Sequence, residues 1–352
     1  MQSPSLPSVS TVTGPVAIAN LGMTLMHEHL FGGLPEAVHT GVRSFSRRMS
    51  TEKVSAANAW MLREDPYSNA DNCLLDDEDA TVEELGLYVA AGGRTVVCNS
   101  TGIGRNPDAL VRTAKRTGLN VVMGAGWSLA HGAEDSIGEA DPATFAAALI
   151  AEFEEGVVLD DGRIISPGII GEIGVGPNFT ASERTTLVAA SMAQPACRVP
   201  LLIHLPGWQR RAHQVLDVVE SYDVDLPSVV LCHMDPSGKD TAYQREVASR
   251  GAWIEFDMIG MLFNYPGEGQ SPSVEDSAIA IAGLIADGFG EQLLLSQDVG
   301  LKGAWTRHGG NGYAYIPNAF LARLVELGVE PTVAADVLTK NPAALFTNAL
   351  GR

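Results

Sequence analysis

Short hydrophobic runs recur along the chain, and a segment with an amphipathic helix pattern follows most of them. The runs are rich in β-branched residues and leucine and mostly lack alternation, which is typical of parallel strands buried on both faces. There are eight such runs: MTLMHEH (23–29), RTVVCNS (94–100), NVVMGAG (120–126), GIIGEIG (168–174), PLLIHLP (200–206), SVVLCHM (228–234), AWIEFD (252–257) and QLLLSQD (292–298). Segments such as PDALVRTAKRTG and PATFAAALIAEFEEG between the runs predict helices, and Thr180-Ala181-Ser182-Glu183 opens another with the spacing of a capping box.

Eight strand–helix units predict an α/β fold of the (β/α)8 barrel type, also called a TIM barrel. The rival is an open doubly wound sheet, which would be expected to carry a glycine-rich fingerprint after its first strand, and HEHLFGGLPE does not supply one. Upstream, STVTGPVAIANLG alternates around Gly14-Pro15 and predicts a short β-hairpin. We expect one domain over residues 1–352, with an N-terminal extension and hairpin in 1–20 and the barrel in 21–352.

Two connections between the predicted elements are unusually long. The first separates the first strand from the helix near Thr81 and is rich in Asn, Asp, Ser and charged residues. The second follows the eighth strand and reads DVGLKGAWTRHGGNGYAYIP. In a barrel both are βα loops on the catalytic face, so we expect long loops 1 and 8 there. Loop 1 would cap the pocket or form the interface of a homodimer.

Composition narrows the range of partners. The chain has 23 Lys and Arg against 42 Asp and Glu, a formal charge of −19, which argues against nucleic acid and against an anionic membrane surface. None of the four cysteines forms a C-x-x-C pair, and Cys98 and Cys232 lie inside apolar runs, so reduced thiols and a cytoplasmic location are expected. The N-terminus lacks the features of a signal peptide, and no apolar run is long enough to span a membrane. We therefore expect the partner to be a small molecule.

Polar residues stand where several of the predicted strands end. His27 and His29 are two apart, so on a strand their side chains would point to the same face. Polar residues also end the fourth, fifth, sixth and eighth predicted strands, and these are Glu172, His204, His233 and Asp298. Taken singly, a histidine of this kind is more often a hydrogen-bonded core residue, a glutamate can pair with an arginine, and an aspartate can cap a helix. The carboxyl ends of the strands converge at one mouth of a barrel, however, and four imidazoles with two carboxylates suit two divalent metal ions.

These residues and the motifs around them resemble the phosphotriesterase family of the amidohydrolase superfamily, and most closely its phosphotriesterase-related proteins. The resemblance covers nearly the whole chain. It is carried by LMHEHL, YSNADN, NSTGIGRNP, GAGW, GIIGEIG, SER, IHLPG, CHMD, FDMIG and HGGNGYAYI. It implies a distorted barrel with a binuclear metal site, usually zinc, with manganese, cobalt or iron as alternatives.

The resemblance also implies a division of the ligands. His27, His29 and Asp298 would hold the more buried ion, and His204 and His233 the more exposed one. In many family members a carboxylated lysine bridges the two ions. GIIGEIGVG contains no lysine, and its only carboxylate is that of the glutamate at position 172, which is the bridge that the related-protein branch shows.

The function implied is metal-dependent hydrolysis, in which a hydroxide that bridges the two metal ions attacks the substrate. Asp298 would accept the proton of the hydroxide and pass it to the leaving group. The family resemblance favours cleavage of a carboxylic ester, a lactone or an N-acyl amide of a small molecule. Three alternatives stay open: a phosphotriesterase, a mononuclear deaminase-like enzyme in which Glu172 has no role, and a barrel that binds a small molecule without turnover.

Several further residues are expected near the substrate. The candidate substrate contacts are Asn99, Trp127 and Asp257, which end the second, third and seventh strands, and Trp60 and Trp305 in the long loops. Asp235 would either orient a ligand imidazole or cap a helix. An anionic substrate would require a cation near the mouth. The candidates are Arg43, Arg63, Arg105, Lys302 and Arg307.

Overall fold

The computed structural model describes residues 6–33, 37–128 and 141–351. Eight parallel strands, numbered here β1 to β8 in chain order, form one sheet in which each strand pairs with its sequence neighbours. Their bounds are Met23–Glu28, Gly93–Cys98, Asn120–Ala125, Ile169–Gly174, Leu201–His204, Val229–Leu231, Trp253–Phe256 and Leu293–Leu295. Each strand overlaps one of the eight hydrophobic runs.

The two edges of the sheet meet between β1 and β8. The backbone N–H of Asp298 donates to the carbonyl of His27 at 3.1 Å, and the N–H of His27 donates to Oγ of Ser296 at 2.9 Å. The carboxylate of Glu28 accepts from the Ser296 hydroxyl and from two backbone N–H groups after β8. These bonds nearly close the sheet, and the predicted (β/α)8 barrel is confirmed.

Helices surround the barrel and follow the predicted pattern. Their bounds are Ser44–Met49, Ala59–Glu64, Glu78–Ala90, Pro107–Thr117, Pro142–Glu155, Ala181–Cys197, Ala212–Glu220, Thr241–Ala248, Val274–Ala286, Leu321–Glu326, Pro331–Asp336 and Lys340–Ala349. The capping box is present, because Thr180 Oγ1 accepts from the Glu183 N–H and the Glu183 carboxylate accepts from the Thr180 N–H. None of the described helices is both long and apolar enough to cross a membrane.

The N-terminal hairpin closes the barrel at the end opposite the strand carboxyl termini. Strand Ser8–Thr11 pairs antiparallel with Gly14–Ala17, so the hairpin is confirmed, with its turn at Val12-Thr13 rather than at Gly14-Pro15. The hairpin attaches to the barrel through the N–H of Val12, which donates to the carbonyl of Val121 at 2.9 Å. Val9 packs with the apolar side chains inside the barrel: Met26, Val97, Val122, Ile169, Leu202, Val230, Trp253 and Leu294.

Loops 1 (residues 30–77) and 8 (residues 296–315) are held against each other. The carboxamide oxygen of Asn72 accepts from the N–H of Gly303 at 2.7 Å, and Nζ of Lys302 lies 3.0 Å from Oδ1 of Asp71. In loop 1 the short strands Gly32–Gly33 and Leu74–Leu75 also pair. Similar short pairs occur at Val157–Val158 with Ile164–Ile165 and at Asn264–Tyr265 with Gly269–Gln270. The two long loops therefore form one cover over the strand ends that carry the site.

Candidate metal centre

The structure brings all six predicted ligand side chains together at the carboxyl ends of the strands. On one side, Nε2 of His27 lies 3.0 Å from Oε2 of Glu172 and 3.8 Å from Oδ1 of Asp298. Nε2 of His29 lies 3.3 Å from the same Asp298 oxygen. The two histidines of the H-x-H motif thus face the carboxylates of Glu172 and Asp298, which are far from them in the sequence.

The other side of the cluster is formed by the histidines of β5 and β6. Oε2 of Glu172 lies 3.4 Å from Nδ1 of His204 and 3.3 Å from Nε2 of His233. These two ring nitrogens are 2.8 Å apart. One carboxylate oxygen of Glu172 therefore faces imidazoles from three different strands.

Local backbone geometry turns two of these side chains toward the barrel axis. His233 and Asp298 have φ angles of 57° and 50°, the left-handed region that non-glycine residues seldom adopt. His233 lies two residues after the end of β6 and Asp298 three residues after the end of β8, where the chain leaves the sheet. Such conformations are costly and cluster at functional sites.

The polar atoms at the centre of the cluster fit a bound cation. Nε2 of His27 and Oε2 of Glu172 are buried and have no hydrogen-bond partner among the described residues. A buried polar atom without a partner is destabilising unless something else satisfies it. Imidazole nitrogens with carboxylate oxygens are the donor set that zinc and similar divalent ions take. The residues present therefore fit the predicted metal pair.

The electrostatics of the cluster follow from its burial and mutual contacts. Burial raises the pKa of Glu172, but His204 and His27 lower it more, and the result is a pKa well below the usual range. Burial lowers the pKa of His233, yet Asp257 and Glu172 raise it more, so it lies well above its ordinary value. The carboxylate of Glu172 is thus ionised wherever these neighbours surround it.

Hydrogen bonds behind the ligands set which ring nitrogen faces the cluster. The hydroxyl of Ser100 donates to the carbonyl of Phe31 at 2.8 Å, so its oxygen accepts from Nδ1 of His29 at 3.0 Å. His29 therefore presents Nε2 to Asp298. His204 is arranged the other way round and presents Nδ1 to the cluster. Sequence reasoning did not identify Ser100, although it lies in the NSTGIG motif.

The prediction that Asp257 contacts substrate is wrong. Its side chain is completely buried beneath the cluster, with Oδ1 2.8 Å from Nδ1 of His233 and Oδ2 3.2 Å from Nδ1 of His27. It is an interior residue of the barrel, two positions after Glu255 on the inward face of β7. Glu255 and Cys232 lie beside it, also buried. Strand alternation could have placed Asp257 in the barrel interior.

The alternatives given for Asp235 are also corrected. Oδ2 of Asp235 accepts from the backbone N–H groups of Asp257 and Met258 at 3.0 and 3.2 Å, and Oδ1 accepts from the hydroxyl of Ser277. Among the described residues it contacts no imidazole, and its side chain caps no helix. Its contacts hold the backbone of the residue that supports the ligands.

The remaining four predicted substrate residues lie in different surroundings. Trp305 is wrongly predicted: it is 1% exposed, packs in the core and stacks on the ring of His308. Trp60 is 57% exposed and its ring contacts Phe45, so the structure does not bring it to the cluster. Trp127 packs edge-on against Phe145. Asn99 is buried at the end of β2, and neither polar atom of its side chain has a partner among the described residues.

Sequence reasoning missed an apolar cluster of mostly buried side chains, called here the aromatic wall. It is formed by Tyr67, Trp208, Met258, Met261, Phe263, Tyr265 and Leu301. The ring of Tyr265 lies 5.3 Å from that of Tyr67 and 5.9 Å from that of Trp208. Burial raises the pKa of Tyr67, and the negative charge of nearby Asp298 adds to the effect. Sequence position could have indicated the aromatic wall, because Trp208 follows His204 by four residues and the two tyrosines lie in other βα loops.

Known proteins resemble this chain in sequence and fold. Residues 7–346 match the phosphotriesterase family. The chain belongs to the phosphotriesterase family. This membership confirms the resemblance stated from the sequence, and the predicted hydrolase class is confirmed with it.

Relatives span almost the entire chain. The N-acetyltaurine hydrolase of Xenopus tropicalis is 31% identical over 350 residues, covering 96% of this chain and 97% of the relative. The phosphotriesterase-related protein of Nematostella vectensis is 28% identical over 345 residues, with the same two coverages. A crystal structure of a resiniferatoxin-binding protein from Rhodobacter sphaeroides is 40% identical, with a TM-score of 0.91 and coverage of 97% and 95%. A lactonase from Listeria monocytogenes is 22% identical, with a TM-score of 0.75 over 96% and 98% of the chains, and shares the fold.

Proposed function

We propose that this protein is a binuclear metal-dependent hydrolase that cleaves an N-acyl amide, a lactone or a carboxylic ester of a small molecule. One observation carries the proposal. Oε2 of Glu172 lies within 3.4 Å of nitrogens from His27, His204 and His233, and it is buried with no hydrogen-bond partner among the described residues. A carboxylate in that position would help to hold both cations.

The ligands divide into two sets around this oxygen. His27, His29 and Asp298 would hold one ion, His204 and His233 the other, and Glu172 would lie between them. We propose zinc as the ion because nitrogen-rich sites with carboxylates suit it. When bound, two such cations would supply an activated water at neutral pH and would polarise a substrate carbonyl.

Asp298 is placed to move the proton. Its side chain is 21% exposed, so it is open to the mouth while it contacts the ligand imidazoles of β1. Its backbone is fixed by the bond from its N–H to the carbonyl of His27. In the proposed reaction its carboxylate accepts the proton of the attacking water and delivers it to the departing amine or alcohol.

The surroundings favour an acyl substrate. The aromatic wall is apolar and includes Tyr67, which lies near Asp298, so it suits the hydrocarbon part of an acyl group. Four of the five cations considered for an anionic substrate already pair with carboxylates: Arg43 with Glu64, Arg105 with Glu152, Lys302 with Asp71 and Asp76, and Arg307 with Glu83. Arg63 pairs with no carboxylate among the described residues and donates to the carbonyl of Gly309. It is therefore the cation to test for an anionic leaving group such as taurine.

A substrate panel tests the proposal. Zinc-loaded and manganese-loaded protein would be assayed with N-acyl amino acids, N-acetyltaurine, lactones, aryl esters and an organophosphate triester. We expect turnover in the acyl classes that chelation abolishes and metal restores. Turnover restricted to the triester would support the phosphotriesterase alternative instead.

A non-catalytic binding barrel is the second candidate. It is favoured by the 40% identical crystal structure, which is that of a resiniferatoxin-binding protein. The two candidates differ in what metal removal does. Binding of a ligand that persists in metal-free protein, with no turnover of any acyl substrate by the loaded protein, would support the binder.

A further inference from the structure

A single buried carboxylate contacts one ligand from each half of the proposed metal centre. Oδ1 of Asp257 lies 2.8 Å from Nδ1 of His233, and Oδ2 lies 3.2 Å from Nδ1 of His27. His27 belongs to the set proposed for one ion and His233 to the set for the other. The two halves therefore share a support that is distinct from the bridging Glu172.

The two contacts favour the same proton position on both rings, although only the contact with His233 is a hydrogen bond. Oδ2 of Asp257 lies 3.2 Å from Nδ1 of His27 without hydrogen-bond geometry, and its negative charge favours a proton on that nitrogen. An ionised carboxylate can only accept hydrogen bonds, so a ring nitrogen that bonds to it must carry the proton. With Nδ1 protonated, the lone pair of each ring is on Nε2. The Nε2 atoms of His27 and His233 both face Oε2 of Glu172, at 3.0 and 3.3 Å. One aspartate can thus set the same tautomer on both ligands.

Asp257 is itself held firmly. The backbone N–H of His233 donates to its carboxylate, at 2.9 Å to the nearer oxygen, and its own N–H donates to Oδ2 of Asp235 at 3.0 Å. Its side chain is completely buried. A support fixed from both directions can transmit a change at one ligand to the other.

We propose that Asp257 is a positioning residue that couples the two metal positions, by holding His27 and His233 in the Nδ1–H tautomer. The inference rests on the proposed binuclear function and deepens it. Groups that orient metal-ligating histidines in this way commonly contribute about 10- to 100-fold to metal affinity. An asparagine in its place offers one acceptor and one donor, so it cannot favour Nδ1–H on both rings.

Glu255 provides a matched comparison because it is equally buried and close to only one of the ligands. Its Oε2 lies 3.5 Å from Nδ1 of His27, farther than that of Asp257, and no contact with His233 is present in the described structure. Neither of its oxygens has a hydrogen-bond partner there. A Glu255→Gln exchange therefore changes a charge at the same depth without removing the shared support.

The experiment compares metal affinity in wild type, Asp257→Asn and Glu255→Gln, with zinc counted by mass spectrometry and competed with a chelator. We expect D257N to weaken both equivalents by about 10- to 100-fold, and E255Q to keep two equivalents near wild-type affinity. The coupling would be overturned if D257N lost one zinc equivalent and bound the other with wild-type affinity. It would also be overturned if D257N bound both zinc equivalents with wild-type affinity. If the wild type itself binds no metal, the proposed function fails rather than this inference.

A second measurement keeps the inference testable if D257N does not fold. Long-range ¹H–¹⁵N correlation spectra of zinc-loaded wild-type protein report the tautomer of each histidine ring. We expect His27 and His233 to carry the proton on Nδ1 and His204 to carry it on Nε2. A proton on Nε2 of His27 or His233 would overturn the proposal.

Discussion

Oε2 of Glu172 and Nε2 of His27 lie 3.0 Å apart at the centre of the site, and neither has a hydrogen-bond partner in the described part of the chain. The two residues come from strands on different sides of the barrel, and the oxygen also faces His204 and His233. Unpartnered acceptors at this depth are costly. A cation held by these two atoms would satisfy both of them.

Replacement of Glu172 by Gln should remove the bridge. The neutral amide keeps the size of the side chain but loses the charge that would hold the two ions together. We expect metal content to fall from two equivalents to one or none, and turnover to fall by at least about 100-fold. Metal analysis with single-turnover kinetics measures both. The control is Glu152→Gln, a residue paired with Arg105 outside the cluster; two equivalents retained in Glu172→Gln would contradict the bridging role.

Replacement of Asp298 by Asn should lower kcat more than it changes KM. The amide cannot accept the proton of the attacking water, and loss of a general acid–base group costs about 10²- to 10⁴-fold in rate. The measurement is steady-state kinetics at saturating zinc, with bound metal counted in the same samples. A kcat within a few-fold of wild type, at full metal content, would exclude the proposed proton transfer.

Replacement of Trp208 by Ala should raise KM more for substrates with long acyl chains than for acetyl substrates. The indole forms part of the aromatic wall, and each buried methylene of a substrate contributes about 0.8 kcal/mol. We expect Trp208→Ala to raise KM for hexanoyl or aryl amides by about tenfold, a change of about 1.4 kcal/mol, with little effect on acetyl substrates. Trp60→Ala, which alters an indole that is 57% exposed, serves as the control. An equal loss for all chain lengths would show that the wall does not bind the acyl group.

The junction of loops 1 and 8 should weaken in acid. Burial raises the pKa of Asp71. Hydrogen bonds from Lys53, the Val54 N–H and Lys302 lower it by more, so the pKa is about 2. A carboxylate with a lowered pKa stabilises the folded state above its ordinary pKa near 3.8, and this stabilisation is lost as pH falls through 2. Partial solvent screening limits it to about 1 kcal/mol.

Denaturant unfolding of metal-free wild type and Asp71→Asn tests the effect. We expect the variant to be less stable at pH 6 and the difference to shrink between pH 4 and pH 2. A difference independent of pH would mean that the charge of Asp71 does not hold the loops.

The sequence was sufficient to predict the barrel because its strands are continuous apolar runs and its helices are amphipathic. Each ligand could be located because it ends such a run, and the carboxyl ends of parallel strands meet at one mouth. Glu172 was located in the same way, and only its bridging role depended on the family resemblance. Whether these six side chains bind metal stays a prediction.

What the sequence could not predict depends on contacts between distant loops. Trp305 lies in a glycine-rich loop and was expected to contact substrate, yet it is buried in the core. Tyr67 and Tyr265 are far apart in sequence, and no local pattern shows that their rings meet at 5.3 Å. Asp257 ends its strand as the ligands do, but it lies one layer below them.

The central claim is most directly tested by counting metal in the purified protein and following turnover as that metal is removed and returned. The account predicts two divalent ions per chain, loss of acyl hydrolysis on chelation, and recovery with the second equivalent added back. Full turnover by metal-free protein, or a single ion that suffices for full activity, would contradict it.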